Sequence, residues 1–357
     1  MQPEDFFSPD YETARARFRS AADCAGAERT TLPLATTGPE GRELTIDIAW
    51  IGERSARRVL LHTSGLHGVE AFAGSAVQLA ALSEPPALSP ACALVLVHVL
   101  NPYGMAWLRR TNENNVDLNR NFLMEDEHSR MASARYAALD TLLNPQSPPA
   151  RDGFRLRLAG LALRHGPRPL ARAIAEGQYS FPRGLFYGGS TLQPGPAAYL
   201  GWVGGSLHQS DYLLAIDFHT GLGKWGKALQ MLEPGAGVTP VKELSAAFGR
   251  PVIGVANGAK RAYYVRGGMG GALPRKLPRT RIDFVLQEIG TYGPLKVLRA
   301  LRNENRWYHY GTGDLRHPAK LAALEALCPA SPVWRRQALA EGLALLHAGA
   351  AWTFKRH

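Results

Sequence analysis

The chain is short of cysteine, of acidic residues relative to basic ones, and of long apolar runs, and each shortage excludes something. Three cysteines in 357 residues, Cys24, Cys92 and Cys328, stand far apart. An odd, dispersed set of thiols excludes a disulfide-stapled scaffold and a CxxC zinc ribbon, so free and buried thiols are expected. No apolar stretch reaches the length of a membrane-spanning helix, and no membrane partner is expected. The opening MQPEDFFSPDYETARARF carries acids where a signal peptide needs a basic and then an apolar segment. The expected location is therefore cytoplasmic. Acids number 30 against 41 lysines and arginines, a net charge of +11. That excess favours anionic partners in general. Without a basic helix carrying interleaved aromatics, nucleic acid is not expected among them. Neither GxSxG nor HExxH occurs, which removes support for two common hydrolase designs.

What is present is enough apolar content, 45%, to bury a large core without staples. Hydrophobic runs alternate with helical patterns, the signature of an α/β domain on a mainly parallel sheet. Strands are predicted at Arg58–Ser64, Ala93–Leu100, Tyr212–Phe218, Ala228–Leu232, Pro251–Val255 and Asp283–Gln287. Residues of about 125–185 are rich in Leu, Ala and Arg, and read as a helical insertion on one edge of the sheet. A tail over about 315–357 reads as two helices separated by Pro329 and Pro332. One domain spanning 1–357 is expected, with no internal repeat.

Chemistry concentrates where strands end, which is where open α/β sheets place ligand sites. His67-Gly-Val-Glu70 follows the first strong strand. An imidazole and a carboxylate at i and i+3 converge if the segment turns into a helix; a capped helix start gives the same pattern. His219 closes the run LLAIDFH, with Asp217 beside it, and reads either as a third ligand or as a hydrogen-bonded core histidine. His62, His98 and His208 lack such company and read as structural. The stretch from Arg109 to Phe122, RRTNENNVDLNRNF, is dense in side chains that bind oxyanions and carboxylates. Finally, FVLQEIGTYG ends a buried strand on Glu288, a costly place for a carboxylate that is neither paired nor working.

Taken in order, HxxE after a strand, VDLNRNF, a distant strand-terminal histidine and a strand ending in Glu with TYG behind it resemble the zinc carboxypeptidases of the M14 metallopeptidase superfamily. The variant LHGVEAFAGS with RTNENNVDLNRNF is most similar to the DUF2817 branch, over about residues 55–295. The resemblance implies a three-layer α/β/α fold with a mixed, mainly parallel sheet. It implies zinc held by His67, Glu70 and His219, a ligand set on which iron, cobalt or nickel are the alternatives. Glu288 matches the general base toward the zinc-bound water, Asn119 and Arg120 the pair that binds a substrate carboxylate. Arg110 is assigned to the oxyanion, with Arg109 as runner-up because the spacing departs from the peptidases. A substrate-side tyrosine falls on Tyr263 or Tyr264, with Tyr263 taken first. Asp217 is expected to support a ligand histidine.

The implied activity is hydrolysis of an amide bond next to a carboxylate on a small molecule or short peptide. The alternative is an N-acyl amino acid deacylase of the aspartoacylase or succinylglutamate desuccinylase type; a non-catalytic basic binding protein is the third reading. Two further features stand apart. Lys260–Arg281 holds seven basic residues and no acid, and reads as a solvated loop or a cationic lid. GLGKWG at 221–226 fits GxGxxG formally, but the next residues, KALQML, look like strand rather than helix, which argues against a dinucleotide site. Oligomeric state is not legible.

Overall fold

A computed structural model describes residues 2–123, 127, 134–254 and 267–355. Among these, eight strands form one sheet: β1 (Glu28–Thr37), β2 (Glu43–Gly52), β3 (Arg58–Ser64), β4 (Cys92–His98), β5 (Tyr212–Gly221), β6 (Ala228–Gly237), β7 (Val252–Gly254) and β8 (Arg281–Gly290). Their order across the sheet is β1-β2-β4-β3-β5-β8-β6-β7. The centre, β4-β3-β5-β8, is parallel throughout, while β1 with β2, β2 with β4 and β6 with β8 are antiparallel. The sheet is thus mixed and mainly parallel, as expected, and all six predicted strands are present. The sequence reading did not find β1 and β2, whose hairpin extends the sheet on one side.

Central strands read as unbroken apolar runs because both of their faces are covered. Leu61, Val95, Leu213 and Phe284 point to one face, against Tyr199, Trp202 and Val203 of α8 (Pro194–Ser206) and Met269 and Leu273 of α10 (Met269–Lys276). Their alternating neighbours Leu60, Leu94, Leu214 and Val285 pack on the other face, against Phe18 of α1 (Tyr11–Cys24), Leu79 of α2 (Ala71–Ser83) and Leu345 and Leu346 of α13 (Pro332–Thr353). This is the three-layer α/β/α architecture.

A five-residue helix, α3 (Pro102–Ala106), follows β4. The insertion is helical, with α4 (Ala134–Ala137), α5 (Asp140–Leu143), α6 (Phe154–His165) and α7 (Pro167–Ala175) gathered around Tyr136, Leu143, Phe154 and Ile174. The remaining helices are α9 (Val241–Phe248), α11 (Pro294–Tyr310) and α12 (Pro318–Leu327). The tail forms α12 and α13 about Pro329 and Pro332, the latter at the first turn of α13, where a missing N–H costs nothing.

Two expectations are corrected. Cys24 is exposed rather than buried, although all three thiols are free. Residues 267–281 of the basic stretch are not a lid: α10 packs on the sheet, and Arg275 donates to the Phe122 carbonyl at 2.7 Å. Residues 260–266 lie outside the described residues. As expected, GLGKWG leads into a strand rather than a helix: it joins β5 to β6.

Candidate metal centre

The order in which strands join the sheet reverses about β3: β4 lies on one side of it and β5 on the other. Such a switch point leaves a crevice at the carboxyl ends of the strands. Here β3 delivers His67 and Glu70, while the register pairs His219 of β5 directly with Glu288 of β8.

The turn out of β3 depends on two glycines. Gly65 has φ +70°, a conformation that strains residues with a Cβ. At Gly68 a Cβ would stand 2.3 Å from the Gly104 Cα, so backbone meets backbone there. The amides of Gly68 and Val69 donate to the carbonyls of Arg110 (3.2 Å) and Arg109 (2.9 Å), which docks the HGVE turn on the arginine segment. His67 keeps an extended backbone while Gly68–Glu70 makes one tight turn. The Glu70 carboxylate is thereby brought back to 2.9 Å from His67 Nδ1.

His219 and Asp217 are two apart on β5 and share a face. His219 Nε2 lies 2.7 Å from Asp217 Oδ2, and Thr63 donates to the other Asp217 oxygen at 2.6 Å. His67 is backed in the same way, its Nε2 at 3.0 Å from Asp117 Oδ1. With each Nε2–H given to a carboxylate, each Nδ1 presents a lone pair inward.

Those lone pairs converge. His67 Nδ1 and His219 Nδ1 are 3.2 Å apart, and Glu70 contributes oxygens at 2.9 Å from the first and 3.3 Å from the second. Donor atoms around a tetrahedral zinc with bonds of about 2.0–2.1 Å stand roughly 3.3 Å apart. All three residues are buried, and they form the metal-competent group among the described residues. Two imidazoles and one carboxylate in this geometry fit a divalent cation by size and by chemistry.

Electrostatics follow from burial against partners. Burial opposes a charged His219, but Asp217 and Glu70 outweigh it and raise its pKa well above the ordinary value. Glu70 is held well below the usual carboxylate range, burial being overcome by His67, His219 and Arg110. Asp117 is also lowered, against burial, by Arg120 and Arg110. Glu288 goes the other way: burial, with Glu70 adding to it, pushes the carboxyl up to about 7 despite the opposing pull of His219. Its oxygen accepts the Leu222 amide at 3.2 Å.

Adjacent arginines part company. Arg110 donates to Glu70 at 2.9 Å and lies 3.4 Å from Asp117, with 14% of its side chain exposed. Arg109, the runner-up, turns away: fully buried, it pairs with Glu304 at 3.0 Å and sits 3.3 Å over the Tyr308 ring. Lys320 donates to the same Glu304 oxygen at 2.6 Å. This buried cluster anchors the arginine segment to α11 and α12.

Asn119 and Arg120 form the short turn Leu118–Arg120, capped by Asp117, which accepts the Asn119 amide at 3.1 Å. The Arg120 guanidinium donates to Asp117 and to the Ala175 carbonyl, and 1% of its side chain is exposed. The residue the sequence reading missed is Asp117, which touches His67, Arg110 and Arg120 together. Its signal was a carboxylate three residues before Arg120 in an arginine-bearing stretch. Tyr263 and Tyr264 lie outside the described residues. His62 and His98 are structural: His62 meets Gln78, and His98 meets Ser75 and stacks on Phe18. Burial lowers both to about 4. His208, exposed just past the end of α8, meets the Gly205 carbonyl at 2.9 Å.

The fold resembles solved structures. One is bovine thrombin-activatable fibrinolysis inhibitor in complex with tick carboxypeptidase inhibitor: 12% identity, 98% of each chain covered, TM-score 0.55. Another is thrombin activatable fibrinolysis inhibitor (TAFI): 12% identity, 98% of this chain and 75% of that one, TM-score 0.50. At such identities the likeness is one of fold. No curated protein matches the sequence. The family described as Protein of unknown function (DUF2817) matches residues 7–341, nearly the whole chain, and the protein belongs to that family.

Proposed function

We propose that this protein is a zinc-dependent hydrolase that cleaves an amide bond next to a carboxylate, in the manner of a carboxypeptidase. The observation that carries the reading is the donor triangle of His67, Glu70 and His219, with the Glu288 carboxyl paired in register beside it. Zinc at these donors would act as a Lewis acid, polarising a carbonyl and lowering the pKa of a bound water to about 7.

The chain's own residues supply the rest. Glu288, whose pKa is already near neutrality, is suited to take a proton from water and return it to the leaving amine. Arg110 is the arginine of the site with a route to a substrate, and a fixed cation there favours charge developing on the carbonyl oxygen. The substrate carboxylate is assigned to Asn119 and Arg120; the Arg120 Nε–H has no hydrogen-bond partner among the described residues and is a donor left over from the Asp117 pair. Asp117 and Asp217 orient the two imidazoles and fix their tautomers.

The test pairs substrate with site. Zinc-loaded protein is screened on short peptides and N-acyl amino acids, and the same screen is run on Glu288→Gln. Turnover in the wild type, with loss in the variant while zinc stays bound, supports the proposal. A protein that takes up no divalent metal at neutral pH sinks it.

A further inference from the structure

The insertion carries a helix that is apolar on two sides. At about 100° per residue, Phe154, Leu158, Leu161 and Ala162 of α6 fall on one face. That face is accounted for: Phe154 is buried, and the other three pack on the insertion's core. Leu156 and Leu163, one heptad apart with Gly160 between them, fall on the opposite face. They are 81% and 89% exposed, the highest values among the described large hydrophobic residues. A single exposed leucine needs no explanation, but two in line on an outward helix face do.

Charge frames this ridge. Arg157 and Arg164 flank it on one side and Arg155 on the other, all exposed, and none forms an ion pair among the described residues. Among the described residues the acids nearby are already committed, Asp140 accepting from Asn144 at 2.7 Å. Asp152 is taken by Arg302 (2.6 Å) and Arg306 (3.0 Å), and Glu176 by Arg172 (2.6 Å). A helix lying flat on the protein, with an outward apolar ridge and unneutralised arginines on both flanks, matches the requirements of an interfacial membrane helix. Long arginine stems lie along the ridge while their heads reach phosphates.

We infer that α6 docks this protein on the surface of an anionic bilayer, with Leu156 and Leu163 entering the headgroup region and Arg155, Arg157 and Arg164 contacting lipid phosphates. This departs from the sequence expectation of no membrane partner, which rested on the lack of a spanning segment; lying on a bilayer needs none. The ridge projects rather than forming a groove, which suits a bilayer better than a folded protein. A second copy would bring the same arginines into opposition. The inference is independent of the hydrolase reading.

The experiment is co-sedimentation of the full-length protein with phosphatidylcholine vesicles, with and without phosphatidylglycerol. Wild type is compared with Leu156→Ser/Leu163→Ser, and with a control pair, Leu321→Ser/Val333→Ser, which changes residues 47% and 51% exposed elsewhere. Expected is binding to the anionic vesicles alone, weakened about tenfold or more by the α6 pair and little by the control pair. Circular dichroism confirms that both pairs stay folded. Three results overturn the inference: wild type left in the supernatant with both vesicles, equal binding to both, or equal retention by the two serine pairs, which means adsorption by net charge alone. A concentration-dependent dimer abolished by the α6 pair, without vesicle binding, assigns the ridge to a second copy and also overturns it.

Discussion

His67 and His219 face each other through their Nδ1 atoms at 3.2 Å, although each is backed on its Nε2 side by a carboxylate, Asp117 or Asp217. Two neutral imidazoles with that tautomer would oppose lone pairs, so the pair needs a proton or a cation between them. Burial does not keep His219 neutral, because Asp217 and Glu70 raise its pKa well above the ordinary value. A metal ion and this proton therefore compete for one place.

Metal uptake should accordingly release a proton. Calorimetric titration of chelator-treated protein with zinc, repeated in buffers of different ionisation enthalpy, should show about one proton leaving per ion. The sign follows from the raised pKa: affinity falls as the pH drops and His219 holds its proton more fully. His219→Ala should lose the ion. Affinity that does not change with pH would contradict this account.

Asp117 should matter through His67. Asp117→Asn leaves a donor or a weaker acceptor where the imidazole needs a carboxylate. Loss of such an outer partner weakens metal binding by roughly 10–100-fold. Competition against a chromophoric chelator measures it. Asp217→Asn should act similarly through His219, and an unchanged affinity in both variants would remove the carboxylates from the site's design.

Glu288 offers two readouts. Glu288→Gln should reduce turnover by at least about 10²-fold while the protein retains its metal. Stability of metal-free protein should respond with a definite sign. The folded carboxyl titrates at about 7, above its ordinary 4.5, so the folded state holds the proton more tightly than the unfolded chain. This stabilisation is complete below the ordinary value and is lost as the pH rises through 7. Urea unfolding should find Glu288→Gln more stable than wild type by on the order of 2–3 kcal/mol near pH 8 and little different near pH 5.

Glu304 neutralises two buried cations, Arg109 and Lys320. Glu304→Gln leaves both with an amide in place of the charge, and breaking such a buried cluster costs about 3–5 kcal/mol. Urea unfolding of the variant should show a loss of that order. A change below about 1 kcal/mol would mean that the cluster is relieved by water or by movement of α12.

Much of the site was legible in the sequence because its parts are local. A buried parallel strand is an unbroken apolar run, and a polar residue at its end is visible against that background. His67, Glu70, His219 and Glu288 are all of this kind, and the six predicted strands needed no more than their own residues. Strand β1 was not legible because its pattern, ERTTLPLATT with one largely exposed face, resembles an ordinary polar segment until β2 is beside it. Nor was the division of labour between Arg109 and Arg110. Identical side chains one residue apart point in opposite directions, and only α11, some 200 residues later, supplies the Glu304 that claims one of them. The role of Asp117 is of the same kind, since a carboxylate flanked by arginines reads as a local ion pair until the fold brings His67 to it from 50 residues away. What the amino-acid sequence by itself determined was the alternation of buried strand and helix, and the chemistry placed at the strand ends. Which polar side chains meet, which are locked away and which Nδ1 atoms converge was decided by long-range packing, because burial makes each unpaired charge too costly to leave and so selects its distant partner.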